Sequence, residues 1–137
     1  MIIAVGVDVV SISKIELLWH QHGARIREAV FTSYELSLLG SMIGGEEDAQ
    51  KTLLPEHAKY LATRFAAKEA TMKALNIRGD EGIEFNEIEV SGEDVLTLRL
   101  YGVAIQRALQ DGIDMLRGSC CCSNDEAFAF VIGEKKR

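Results

Sequence analysis

The chain has 137 residues, enough for one domain built on a single core. Its 15 basic and 21 acidic residues leave a net charge of −6, which argues against a general nucleic-acid binder. No apolar run approaches the roughly 20 residues of a membrane span. The first residues lack the basic start and cleavage site of a signal peptide, so a cytosolic location is the expectation.

Residues 2–10 form an apolar run rich in β-branched residues, which predicts a strand buried on both faces. Asp8 interrupts it, and an acid in such a strand must lie at its end or have a partner. Ser13-Lys14-Ile15-Glu16 reads as a capping box opening a helix that stops at Gly23, with a second helical piece over 24–30. Lys14, Arg25 and Arg27 make this region locally basic, either as a solvated face or as a docking site for an acidic protein. Thr32-Ser33-Tyr34-Glu35 is a second capping box, opening a helix to about Gly40. A polar, glycine-rich loop follows over 40–51, and Pro55 suits the first turn of the next helix.

That helix is the longest element expected, free of glycine and proline over 57–77. Phe65, Met72 and Leu75 fall near one apolar face, while Glu69 and Lys73 stand one turn apart on another, flanked by Lys68 and Arg64. By itself the Glu69–Lys73 pair is an exposed ion pair contributing about 0.3–0.5 kcal/mol. Holding a divalent metal would take a second carboxylate from elsewhere in the chain.

The helix ends by Gly79. A strand over 84–90, a turn over 91–94 and a strand over 95–100 make a hairpin, then a helix over 103–111 closes at Gly112. Two further strands, 115–123 and 127–132, join at a tight turn, and the tail from Glu134 is expected to fray. Cys120, Cys121 and Cys122 are consecutive, which suits neither zinc nor a disulfide, so they are expected to serve as small apolar strand residues. The order predicts a single α+β domain over 1–137, with a largely antiparallel sheet and the long helix packed across it. A Rossmann fold would need alternating strands and helices and a glycine-rich first turn.

Taken together, Gly6-Val7-Asp8-Val9-Val10 and Arg64-Phe65-Ala66-Ala67-Lys68-Glu69, followed by Lys73-Ala74-Leu75, resemble the holo-acyl carrier protein synthase family, the small phosphopantetheinyl transferases. Lys14-Ile15-Glu16, Val30-Phe31-Thr32 with Glu35, and Phe85 with Glu87-Ile88-Glu89-Val90 are further landmarks in the family's order. The resemblance implies the 4′-phosphopantetheinyl transferase fold and magnesium-dependent transfer of 4′-phosphopantetheine from coenzyme A to a serine of an apo-acyl carrier protein. It implies Mg²⁺ held by Asp8 and Glu69, with Lys73 on the phosphates and Lys68 and Arg64 available to other phosphates of the coenzyme. It further implies an acidic carrier protein docked on Lys14, Arg25 and Arg27, and a homotrimer with sites between subunits. The carrier could serve fatty acid, polyketide or peptide synthesis. Two positions depart from the family pattern. Asn124 stands where a coenzyme-binding His is usual, and Asn76 replaces a glycine. The first leaves a rival open, a catalytically silent homologue that binds or scaffolds a carrier protein.

Overall fold

In the computed structural model, residues 1–43, 53–78 and 81–137 are described. The glycine-rich stretch Gly44-Gly45-Glu46-Glu47-Asp48 and the turn residues Gly79 and Asp80 lie outside them. The elements run β1 (Ile2–Ser11), α1 (Ile12–Ala29), α2 (Ser33–Ile43), α3 (Pro55–Ala74), β2 (Ile88–Ser91), β3 (Val95–Leu100), α4 (Gly102–Gln110), β4 (Met115–Cys122) and β5 (Glu126–Glu134). One five-stranded sheet has the order β1-β5-β4-β3-β2 with every pairing antiparallel, and α3 crosses its inner face over β1, β5 and β4. This is the α+β architecture expected.

The long helix is buried almost all round because its contact surface is alanine. Ala58, Ala62, Ala66, Ala67 and Ala70 are 0% exposed, and Leu61 and Leu75 complete the layer. Small side chains let a helix approach a sheet closely and lose no rotamer entropy on burial. Pro55 takes the first turn, and the Leu54 amide donates to Nδ1 of His57 at 3.2 Å. The C-terminus is a Schellman motif. The Ile77 amide donates to the Met72 carbonyl at 2.9 Å, and the Asn76 amide to the Lys73 carbonyl at 3.0 Å. Asn76 takes the left-handed conformation there, φ 52°, which asparagine tolerates better than most residues. The helix therefore stops at Ala74, five positions before Gly79.

Several local expectations need correction. Ser11, not Ser13, caps α1, its hydroxyl accepting from the Lys14 amide at 3.4 Å. The expected break beside Gly23 is present at His22 (φ −134°, ψ 32°), where two helical pieces meet and the second runs on to Ala29. The Thr32–Glu35 capping box forms as read, at 2.9 and 3.2 Å. Residues Phe85–Glu87 form a single 3₁₀ turn, since Glu87 reaches back to the Glu84 amide at 2.7 Å and forward to the Val103 amide at 2.7 Å. The tail is held, with Glu134 in β5, the Lys135 amide on the Met1 carbonyl and the Lys136 amide on Asp114.

β1 is an edge strand, covered on one face only. Asp8 and Val10 point toward α3, whereas Val5, Val7 and Val9 are about half exposed on the outer face. Phe130 and Phe128 sit opposite Val7 and Val9, so an apolar stripe runs across the two strands. Among the described residues, no helix is long and apolar enough to cross a membrane.

Candidate active site

The site begins with a glycine. Gly6 lies beneath the α3 backbone, where a β-carbon would overlap the Ala70 carbonyl oxygen and stand 2.8 Å from the Ala74 nitrogen. Two residues along a strand return to the same face, so Asp8 aims at α3 as well. Glu69 and Lys73 flank Ala70 on the helix and arrive beside it. This contact brings together residues more than sixty positions apart.

Asp8 is 7% exposed. Its Oδ1 accepts from Lys73 Nζ at 2.8 Å, and the same ammonium reaches the Val7 carbonyl at 3.1 Å. Among the described residues its buried Oδ2 has no hydrogen-bond partner. The Glu69 carboxyl lies against it, half-buried. Burial first, and then the neighbouring Asp8 carboxyl, push Glu69 up to about 7, with Lys73 and Lys14 acting in the opposite direction. Lys73 is raised by its bond to Asp8, and its side chain is 58% exposed. Two convergent carboxyls, one with an orphaned oxygen, call for a proton or a cation between them. An all-oxygen donor set suits a hard cation such as Mg²⁺, which takes one or two carboxylates and draws its other ligands from water and phosphate. Among the described residues no cluster of three acidic, His or Cys side chains offers a larger metal cage.

Lys68 is not available to a phosphate, contrary to the expectation. It is 0% exposed, and its three ammonium hydrogens are used by Glu35 Oε1 at 2.7 Å and the Phe85 and Ile88 carbonyls at 3.1 and 2.6 Å. Burial lowers its pKa, while Glu35 opposes that shift. Glu35 Oε2 in turn accepts from the Val90 amide at 2.8 Å. The pair pins α2 and β2 to the far side of α3. Sequence spacing gave Glu35 no more than a capping role.

Arg64 is 6% exposed. Its guanidinium stacks 4.3 Å over the Tyr60 ring and donates to Thr63 Oγ1 at 3.2 Å and to the Gly92 carbonyl, while its buried Nε has no partner among the described residues. It forms one wall of a cleft of about 630 Å³ that β4 closes with Cys120, Cys121 and Cys122. Asp8, Ala129 and Cys120 make one rung across β1, β5 and β4. At the usual strand spacing the carboxylate pair and the thiol side of this cleft lie about 10 Å apart. Asn124 is exposed in the turn that follows Cys122. Lys14 and Arg25 are exposed on α1, and Arg27 stacks 4.8 Å over Trp19. Lys14 is close enough to Glu69 to lower its pKa, which links the basic helix to the acidic pair.

The family model of the 4′-phosphopantetheinyl transferase superfamily matches residues 4–128. The chain belongs to that superfamily, and it is an enzyme of the phosphopantetheinyl transferase kind. It is 33% identical to the holo-[acyl-carrier-protein] synthase of Maridesulfovibrio salexigens, over 98% of this chain and 100% of that one. It is 34% identical to the enzyme of the same name from Alkalilimnicola ehrlichii, over 98% of both chains. Among solved structures it is similar to the Neisseria meningitidis holo-[acyl-carrier-protein] synthase, at 27% identity and a TM-score of 0.77, over 98% of this chain and 100% of that one. A Chronobacterium ammoniagenes synthase described as a complex with CoA matches at 27% identity and a TM-score of 0.73, over 98% of each chain.

Proposed function

We propose that the chain transfers 4′-phosphopantetheine from coenzyme A to a serine hydroxyl of an acidic apo-acyl carrier protein, releasing adenosine 3′,5′-bisphosphate. The observation that carries this reading is the pair of converging carboxyls, buried Asp8 with its unpaired oxygen and half-buried Glu69 beside it. Attack of a hydroxyl on a pyrophosphate phosphorus needs alignment and charge stabilisation more than covalent help. Asp8 and Glu69 would hold Mg²⁺, which supplies positive charge to offset the charge developing on the pyrophosphate oxygens. Lys73, more than half exposed and bonded to Asp8 and the Val7 carbonyl, would turn its ammonium toward those oxygens. Arg64 lines a cleft of suitable size for the nucleotide end of the coenzyme, and Asn124 lies in the turn just after its Cys122 wall. Lys14 and Arg25, with Arg27, would receive the acidic carrier next to Glu69. A cytosolic location belongs to the same reading. The outer stripe of Val5, Val7, Val9, Phe128 and Phe130 supports a homotrimer that buries it.

Magnesium-dependent labelling of a panel of apo-carrier proteins with a fluorescent coenzyme A tests the proposal and separates it from the silent scaffold. Labelling of one or more carriers is expected, with fatty acid, polyketide or peptide carriers identified by the panel. A chain that binds carrier without labelling any is a scaffold. Calorimetric titration of Mg²⁺ with coenzyme A present assigns the residues. Glu69→Gln should lose metal binding and transfer, whereas Lys73→Ala should lose transfer and keep most of the metal affinity.

A further inference from the structure

An alanine layer lets α3 lie close to the sheet, but it holds the helix weakly against rotation about its own axis. Such a rotation is fixed by ridges of side chains locked into grooves, and methyl groups raise only shallow ridges. Between Phe65 and Leu75 the buried residues are Ala66, Ala67, Lys68, Ala70, Thr71 and Ala74. The Thr71 hydroxyl bonds to the Ala67 carbonyl of the same helix. Lys68 is therefore the one long buried side chain in the stretch that carries Glu69. Its ammonium is held by Glu35 of α2 and by the carbonyls of Phe85 and Ile88. Glu35 is anchored in turn, accepting from the Thr32 and Val90 amides.

At about 100° per residue, Lys68 and Ala70 lie on nearly opposite sides of the helix, and Glu69 projects between them. Ala70 rests on Gly6 of β1, so this part of α3 is fixed at Gly6 on one side and at Glu35 on the other. A side-chain tip stands about 5–6 Å from a helix axis, so a roll of about 20° would carry the Glu69 carboxyl about 2 Å. That is enough to part it from Asp8, against which it lies. We propose that Lys68 and Glu35 are positioning residues for the acidic pair: their ion pair fixes the roll of α3 at which the Glu69 carboxyl meets Asp8. The consequence for Mg²⁺ rests on the metal-and-coenzyme reading above, whereas the roll itself does not.

Glu35→Gln combined with Lys68→Met removes both charges together, so no charge is left buried alone and the net charge of the chain is unchanged. The new amide can still accept from the Val90 amide. Mg²⁺ is titrated calorimetrically into the parent and the folded double variant with coenzyme A present, and the metal-free variant is crystallised. The expected result is a metal affinity lower by about tenfold or more, with the Glu69 carboxyl displaced from Asp8. Should the double variant fail to fold, Glu35→Asp takes its place. It keeps both charges and shortens the tie by one methylene, and the same result is expected of it. Glu69 found in its parental place against Asp8 overturns the inference, whatever the metal affinity, and leaves the ion pair a stabilising contact only. Glu69 displaced with unchanged Mg²⁺ affinity, or in a chain whose parent binds no Mg²⁺, supports the inference and overturns the metal reading instead.

Discussion

Gly6 of β1 and Ala70 of α3 touch backbone to backbone, and the acidic pair owes its position to that contact. Gly6→Ala must push the helix off the strand, because the atoms it meets are backbone and cannot rotate away. The expected cost is about 3 kcal/mol, at the upper end for an overpacked core. Urea unfolding measures it, and a variant as stable as the parent would show that the two backbones are not in contact.

Lys68 offers a second stability test. Lys68→Met leaves Glu35 charged, fully buried and without its cation, which costs about 3–5 kcal/mol. A phosphate-binding lysine would instead lose coenzyme affinity at unchanged stability. Denaturant midpoints and coenzyme titrations on the same variant separate the two, and an unchanged midpoint would refute the structural role.

Glu69 predicts the direction of a pH effect. Its pKa rises from an ordinary 4.5 to about 7 on folding, so the folded state holds the proton more tightly than the unfolded chain. Its contribution is fully favourable below about 4.5 and is lost as the pH climbs to about 7. In metal-free buffer Glu69→Gln should therefore match the parent near pH 4.5 and exceed it by about 1–2 kcal/mol above pH 7, a figure reduced for the partial exposure of the group. A stability difference that is flat across that range would mean that the two carboxyls do not interact.

The outer stripe gives a prediction about assembly. Val7 and Phe130 are register partners, about half exposed, on the face away from α3. Val7→Lys should leave the fold intact and reduce the mass seen by light scattering from trimer to monomer. A parent chain that is already monomeric and fully active at micromolar concentration would rule out the trimer.

Asn124→His places a cationic donor where the family pattern has its coenzyme-binding His. An amide can donate to a phosphate but carries no charge. Coenzyme affinity should rise roughly five-fold on going from pH 8 to pH 6 in the variant relative to the parent, about 1 kcal/mol. An unchanged Michaelis constant over that range would place Asn124 away from the coenzyme.

The parts of this fold legible in the sequence were those governed by local rules. The unbroken helix-forming run gave α3, the glycine turns gave the hairpins, and Thr32 with Glu35 gave a helix start. Lys68 was misread because spacing reveals which side of a helix a residue occupies, not what covers that side. An alanine-rich helix has little polar contrast, and the partner that covers Lys68 comes from Glu35 on another helix. The strand around Asp8 was read as covered on both faces because its outer valines are as apolar as its inner residues. No local rule joins Asp8 to Glu69. Their likeness to a family suggested a shared site, and the physical cause of their meeting, Gly6 under Ala70, is a close approach that no spacing reveals.

The sheet order also dictates a sequence of events in time. β1 is made before its ladder partner β5, which follows it by more than a hundred residues, with Ile2 opposite Glu134. While the chain grows at about 5–20 residues per second, β1 must wait for the intervening residues to appear. During that interval its valines and Asp8 remain without a sheet, so chaperone contacts at the ribosome should concentrate on the first strand. The helix bearing Glu69 can form early, but the acidic pair cannot assemble until β5 has emerged.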